Sequence, residues 1–198
     1  MNKVKVWCVL FFILGISHSG FLQADSGYVL DAETSVVQFI SSKQTHIFEN
    51  HHFTSLSGSI SENNEATLVI KLDSVETGIE IRNERVRELL FEVASHHNAV
   101  IKLPVNLSEL NKQIIGTSQK KDVLASLNLH GVTADIDTQL VVTKLSESKI
   151  MVQNAYPVLI KAGDYKLTAG IDSLKNIANL DVISYTVPVN FTLIFKSL

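Results

Sequence analysis

Val187-Pro188-Val189-Asn190-Phe191-Thr192-Leu193-Ile194-Phe195-Lys196 alternates large apolar side chains with a second set that contains proline, asparagine, threonine and lysine. A period of two is what a strand with one buried face requires, because successive side chains leave a pleated backbone on opposite sides. Val187, Val189, Phe191, Leu193 and Phe195 therefore share a face. The rhythm recurs upstream. Ala66, Leu68, Ile70 and Leu72 lie opposite Thr67, Val69 and Lys71, and Val123, Ala125, Leu127 and Leu129 form another row. Gly131 interrupts the pattern, which resumes through Ala134, Ile136, Thr138, Leu140 and Val142. Further strands are read near 35–42, 53–61, 99–107 and 149–160, separated by turn signals such as Glu62-Asn63-Asn64 and Ser146-Glu147-Ser148.

Two segments have helical spacing instead. Between Asn83 and Val93 the apolar residues Val86, Leu89, Leu90 and Val93 fall at i, i+3, i+4 and i+7, with Arg82, Arg85, Arg87 and Glu88 on the polar side. From Thr168 to Leu180 the apolar set is Ile171, Leu174, Ile177 and Ala178, with Thr168 or Asp172 as the N-cap. About eight antiparallel strands and two short helices predict a mainly β domain closed into a barrel, since closure removes exposed sheet edges. A barrel of that size either fills with its own side chains or keeps room for one small ligand, and alternation alone does not choose.

The N-terminus has a different character. Lys3 and Lys5 precede an apolar run from Val6 to Ile16, and small residues lead to Ala24 before Asp25. These are the parts of a cleavable secretory signal over 1–24, with Ser19 as the second choice of cut; the run is too short for a membrane span of roughly 20 residues. The domain then occupies 25–198, with no stable membrane insertion expected. Removing Lys3 and Lys5 leaves 15 basic against 20 acidic residues, a formal charge of −5. That balance argues against nucleic acid or an anionic bilayer as partner. Cys8 leaves with the signal, so the domain has neither disulfide nor thiol nucleophile.

No arrangement of residues demands catalysis. The neighbours His51-His52 and His96-His97, read as strand residues, point to opposite faces, so neither pair chelates a metal by itself. There is no His-x-His, no His-Glu-x-x-His and no Gly-x-Ser-x-Gly elbow. Gly58, Gly78, Gly116 and Gly131 stand apart rather than in a phosphate loop. Arg82, Arg85 and Arg87 alternate with Glu80, Glu84 and Glu88 and read as an ion-paired helix face. Asn106-Leu107-Ser108 and Asn190-Phe191-Thr192 fit a glycosylation pattern but fall in expected strands. The domain is therefore read as a binding protein without catalytic residues, metal or cofactor.

Several short motifs carry a family likeness in their order and spacing. Val75-Glu76-Thr77-Gly78, Arg82-Asn83, Leu89-Leu90-Phe91 and Leu127-Asn128-Leu129-His130-Gly131-Val132-Thr133, with Tyr28-Val29-Leu30-Asp31, Ser35-Val36-Val37-Gln38-Phe39 and Leu56-Ser57-Gly58-Ser59-Ile60, resemble the YceI-like family of bacterial periplasmic proteins. The likeness runs from about Tyr28 to Phe195. It implies an eight-stranded antiparallel, lipocalin-like barrel whose lumen holds a long isoprenoid chain, a polyprenyl compound or an isoprenoid quinone, for transport, storage or stress response in the periplasm. Asn83, Arg85, Asn98 and Lys102 depart from the family pattern, which commonly has aspartate, histidine, proline and an aromatic there.

On this resemblance and the strand alternation, the residues expected to line the lumen are Phe39, Leu68, Ile70, Leu89, Phe91, Leu127, Leu129, Val189, Phe191 and Leu193. Lys43, His46, Arg82 and His130 are expected at a polar mouth. A homodimer through an outer barrel face is compatible with the fold, although no patch is assigned to it. Two rival readings stand beside the lipid carrier. One is a stress-response or interaction protein with a filled barrel, and the other a metal or quinone redox accessory built on His46, His51 or His130.

Overall fold

The structure, a computed structural model, describes residues 27–198, so the expected signal segment with Cys8 and its cleavage site lie outside it. In chain order the elements are β1 (Tyr28–Leu30), β2 (Val36–Lys43), β3 (Ile47–Phe53), β4 (Leu56–Ile60), β5 (Glu65–Lys71), β6 (Val75–Glu76), α1 (Glu80–Arg85), β7 (Asn98–Pro104), α2 (Leu107–Lys112), β8 (Ser118–Leu129), β9 (Val132–Ser146), β10 (Lys149–Asn154), β11 (Val158–Lys161), α3 (Thr168–Ile177) and β12 (Thr186–Ser197). Every strand pairing is antiparallel. The order β1-β4-β5-β7-β8-β9-β10-β12 returns to β1, which closes an eight-stranded barrel.

The remaining strands extend members of that ring. Tyr28–Leu30 pairs with Ser197–Phe195, and Val36–Phe39 with Thr192–Val189, so β1 and β2 are halves of one broken strand beside β12. The detour between them is held on both sides of one residue: Asp31 N–H donates to the Ile194 carbonyl (2.8 Å), and Ile194 N–H donates to Ser35 Oγ (2.9 Å). β3 with β4 and β10 with β11 are broken in the same way. Ser74 fills the first of those gaps, its carbonyl and Oγ accepting from Thr54 N–H and Ser55 N–H. The eight strands expected from alternation thus correspond to eight long strands, several of them interrupted.

Differences from expectation have local causes. The strand expected over 53–61 begins at Ile47, because Ile47-Phe48-Glu49-Asn50-His51-His52-Phe53 pairs with β2 without a clean alternation. The strand expected to reach 107 stops at Pro104, and Asn106 instead caps a third helix, α2, its side chain accepting from Glu109 N–H (3.1 Å). α3 is present, but neither Thr168 nor Asp172 caps it; Leu167 holds the cap position and Asp172 accepts from Tyr185 Oη (2.7 Å). His96 and His97 lie in a turn between α1 and β7 rather than in a strand.

The two ends of the barrel are finished differently. At the end where β1 starts, α2 crosses the opening above a buried polar set. Tyr28 Oη donates to Asn111 Oδ1 (2.7 Å) and accepts from Lys144 Nζ (3.0 Å), with Tyr28 1% and Lys144 2% exposed. Gln113 Nε2 donates to the carbonyls of Thr117 and Val142. At the opposite end the turn after α1 meets α3. A Cβ on Gly170 would stand 2.4 Å from the Leu89 carbonyl oxygen, so this contact requires glycine.

Tyr28→Phe should lower stability by about 1–3 kcal/mol in denaturant unfolding, because it strands the buried Lys144 Nζ. Adding Lys144→Met should recover part of that loss, since it removes the stranded ammonium and the half-buried Asn111 Oδ1 has then lost only the Tyr28 hydroxyl.

Candidate functional site

The inward faces of the strands do not meet across the barrel. They enclose a cavity of about 270 Å³, several times the roughly 30 Å³ that one water occupies in the liquid. Among the described residues, Thr67 and Thr138 are the only polar side chains on its wall. Thr138 Oγ1 is buried and has no hydrogen-bond partner among the described residues.

Alternation places most of the expected lining. Leu68 and Ile70 reach the cavity from β5, Leu127 and Leu129 from β8, and Val189, Phe191 and Leu193 from β12. Phe39 from β2 packs on Phe53 at a ring separation of 5.5 Å, and Phe53 on Phe91 at 6.0 Å, so an aromatic row runs along one wall. Leu89 is the exception. After α1 the chain widens into a turn in which Phe91 N–H donates to the Val86 carbonyl five residues back, and this turns Leu90 rather than Leu89 into the cavity. Spacing of 3.6 residues does not anticipate such a turn. Lys102 stays outside, paired with Glu65 (3.0 Å), while Ile101 and Leu103 on either side line the lumen.

None of the four residues expected at a polar mouth lines the cavity. Lys43 Nζ and Arg82 Nη1 converge on Glu49 Oε2 at 2.8 and 2.9 Å, and Arg82 Nη2 donates to the Thr77 carbonyl. These residues tie the β2–β3 hairpin to α1. Asn83, 1% exposed, anchors the same corner: its Oδ1 accepts from Thr77 N–H and Oγ1, and its Nδ2 donates to Glu76 Oε2 (3.1 Å). The amide thereby serves a carboxylate partner that aspartate would repel. His46 is exposed beside Thr45, and His130 sits in the two-residue β8–β9 turn near Glu92 (3.7 Å).

The polar groups that adjoin the cavity lie elsewhere. β7 pairs with β8 at only three positions, Val100–Lys102 with Asn128–Ser126, and beyond them the two strands part. A recess of about 210 Å³ opens there beneath α2, bordered by Asn106, Glu109, Gln113, Gln119, Lys121 and Asp122. Leu103, Val105, Leu110, Val123, Leu140 and Val142 belong to the walls of both recess and cavity. The signal for this opening is a pairing count, which alternation within single strands does not contain.

A YceI-like domain family model matches residues 28–195. The chain belongs to the YceI-like family. Among solved structures, a polyisoprenoid-binding domain from Saccharophagus degradans implicated in plant cell wall breakdown is 51% identical, with a TM-score of 0.85, covering 86% of this chain and 98% of that one. Burkholderia cenocepacia BcnA, 15% identical with a TM-score of 0.62, covers 83% of this chain and 98% of its own and has the same fold. No curated protein matches the chain. The YceI-like barrel described above thus extends over the whole matched region.

Titration of the polar corner is shaped by its packing. Burial lowers the pKa of His51 below its ordinary 6.5, and the nearby Arg82 charge adds to this, while Ser41 Oγ bonds its Nε2 (2.8 Å). Burial pushes Glu49 upward, but hydrogen bonds from Lys43 and Arg82 outweigh it and hold the carboxyl below its ordinary 4.5. Glu76 is lowered by Gly78 N–H and then by Asn83. A lowered histidine and lowered carboxylates both mean that the unfolded chain binds more protons, so stability falls as pH falls. Thermal stability should therefore decline in two stages, first below about pH 6.5 as His51 is forced to charge, then below about 4.5 as Glu49 and Glu76 protonate. His51→Gln should remove its share of the first stage and leave the second.

Proposed function

We propose that this protein is an exported carrier that holds a long isoprenoid chain, a polyprenyl compound or the tail of an isoprenoid quinone, in the barrel lumen, and that it acts by binding rather than by catalysis. The observation that carries this reading is the cavity, whose wall is apolar apart from two threonines. A barrel filled by its own side chains would not have it. The 51% identical relative described as a polyisoprenoid-binding domain supports the class of ligand. The signal-like segment at 1–24 supports export, and the periplasm is the compartment in which a water-soluble shell around an apolar chain has work to do.

Energetics favour the tail over the head group. Each methylene of the tail that the lumen encloses contributes about 0.8 kcal/mol, so ten enclosed carbons give a gross term of about 8 kcal/mol before the costs of ordering and association are subtracted. No single polar contact approaches this, so the protein discriminates weakly among head groups. The head group leaves through the recess under α2, where Gln119, Lys121 and Asp122 meet water next to the apolar wall.

Organic extraction of the purified protein followed by mass spectrometry should recover a polyprenyl lipid, and delipidated protein should take one up again. Val123→Trp, which fills the wall shared by cavity and recess, should cut the recovered lipid severalfold with little change in thermal midpoint. Finding no lipid, and no uptake by the delipidated wild type, would sink the proposal.

A further inference from the structure

One cluster of side chains plays no part in the lumen. Glu92, His96 and His130 present donor atoms that all lie within 4.8 Å of one another. Two of them come from a single turn: the chain after Phe91 folds back so that His96 N–H donates to the Glu92 carbonyl (3.0 Å). The third comes from the β8–β9 hairpin 34 residues further on, where His130 and Gly131 occupy a left-handed two-residue turn with φ of 52° and 75°.

The state of His130 points to a missing partner. Its side chain is 10% exposed, and neither ring nitrogen makes a hydrogen bond among the described residues; Glu92 Oε2 stands 3.7 Å from Nε2. The His96 ring lies 4.2 Å away, centroid to centroid, tilted by 52°. An imidazole buried with neither nitrogen hydrogen-bonded is a costly arrangement unless something binds there. Room is kept for the ring of His96: a Cβ on Gly131 would stand 3.0 Å from His96 Cε1.

We propose that Glu92, His96 and His130 form a binding site for one divalent transition-metal ion of the zinc class. Two imidazoles and one carboxylate are a donor set that zinc takes with a fourth position left to water, whereas calcium and magnesium call for oxygen donors. Bonds of about 2.0–2.1 Å place tetrahedral donors about 3.3–3.5 Å apart, so the group closes by rotation of the exposed Glu92 and half-buried His96. Glu92 follows Phe91 and His130 follows Leu129, both on the cavity wall. The ion therefore clasps the turn after α1 to the β8–β9 hairpin at the rim of the lumen. Sequence spacing misses this site because His96-His97 is not in a strand.

The test uses untagged protein stripped with a chelator and titrated with Zn²⁺ in a calorimeter. Wild type should bind one ion per chain, and Zn²⁺ but not Mg²⁺ should raise its melting temperature. His130→Asn, which suits the left-handed turn, and Glu92→Gln should each weaken binding by at least about tenfold while keeping the chelator-treated melting temperature near that of wild type. His97→Gln, at the exposed neighbour, should bind as wild type does. A wild-type protein that takes up no Zn²⁺, or a His130→Asn variant that takes it up equally well, would overturn the assignment.

Discussion

Closure of the sheet through β12 is the constraint on which everything else depends. That strand is bonded along both edges, to β1 and β2 on one side and to β10 and β11 on the other. A strand bonded on both sides holds its register firmly, because a slip of one residue would turn Leu193 and Phe195 outward and lysine inward. With β12 fixed, the ring has a set circumference, and eight strands at that circumference enclose an interior that side chains either fill or line around one small ligand. Here the inward side chains line it and leave the cavity open.

Polar groups in this protein are spent on holding that ring in shape. Glu49 collects both Lys43 and Arg82, Asn83 stitches Thr77 to Glu76, and Lys144 is buried against Tyr28 where α2 crosses. Each sits at a break or an end, where the ladder of backbone hydrogen bonds stops and another partner has to be found. Residues that look in sequence like a charged rim therefore turn out to be struts. The lumen itself is left almost without hydrogen-bonding capacity, which suits a guest that has none.

The fold was largely legible in the sequence because one face of each strand is buried, and period-two alternation records that face directly. Val187 to Phe195 and Ala66 to Leu72 are the clearest instances, and both rows reach the lumen. What alternation does not record is anything set between strands. The widened turn that exchanges Leu89 for Leu90, the parting of β7 from β8, and the meeting of Glu92 and His96 with His130 all arise from hydrogen bonds or contacts made by residues distant in the chain or outside the regular periods. Asn106 follows directly on an alternating strand, so its role as the N-cap of α2 comes into view only with the helix itself.

The parting of β7 and β8 also means that this closed barrel keeps a stretch of free edge there. From Ser118 to Ala125 the backbone of β8 is paired to β9 alone, and an open ladder of that kind is a template for a strand from another molecule. The side chains there read Gln119-Lys120-Lys121-Asp122, and Lys121 is ion-paired to Glu109 of the helix lying over the gap. Facing them, β7 ends in Pro104, which has no N–H to offer an incoming chain. The opening is thus guarded against intermolecular sheet growth by the charges around Lys121 and by the missing N–H of Pro104.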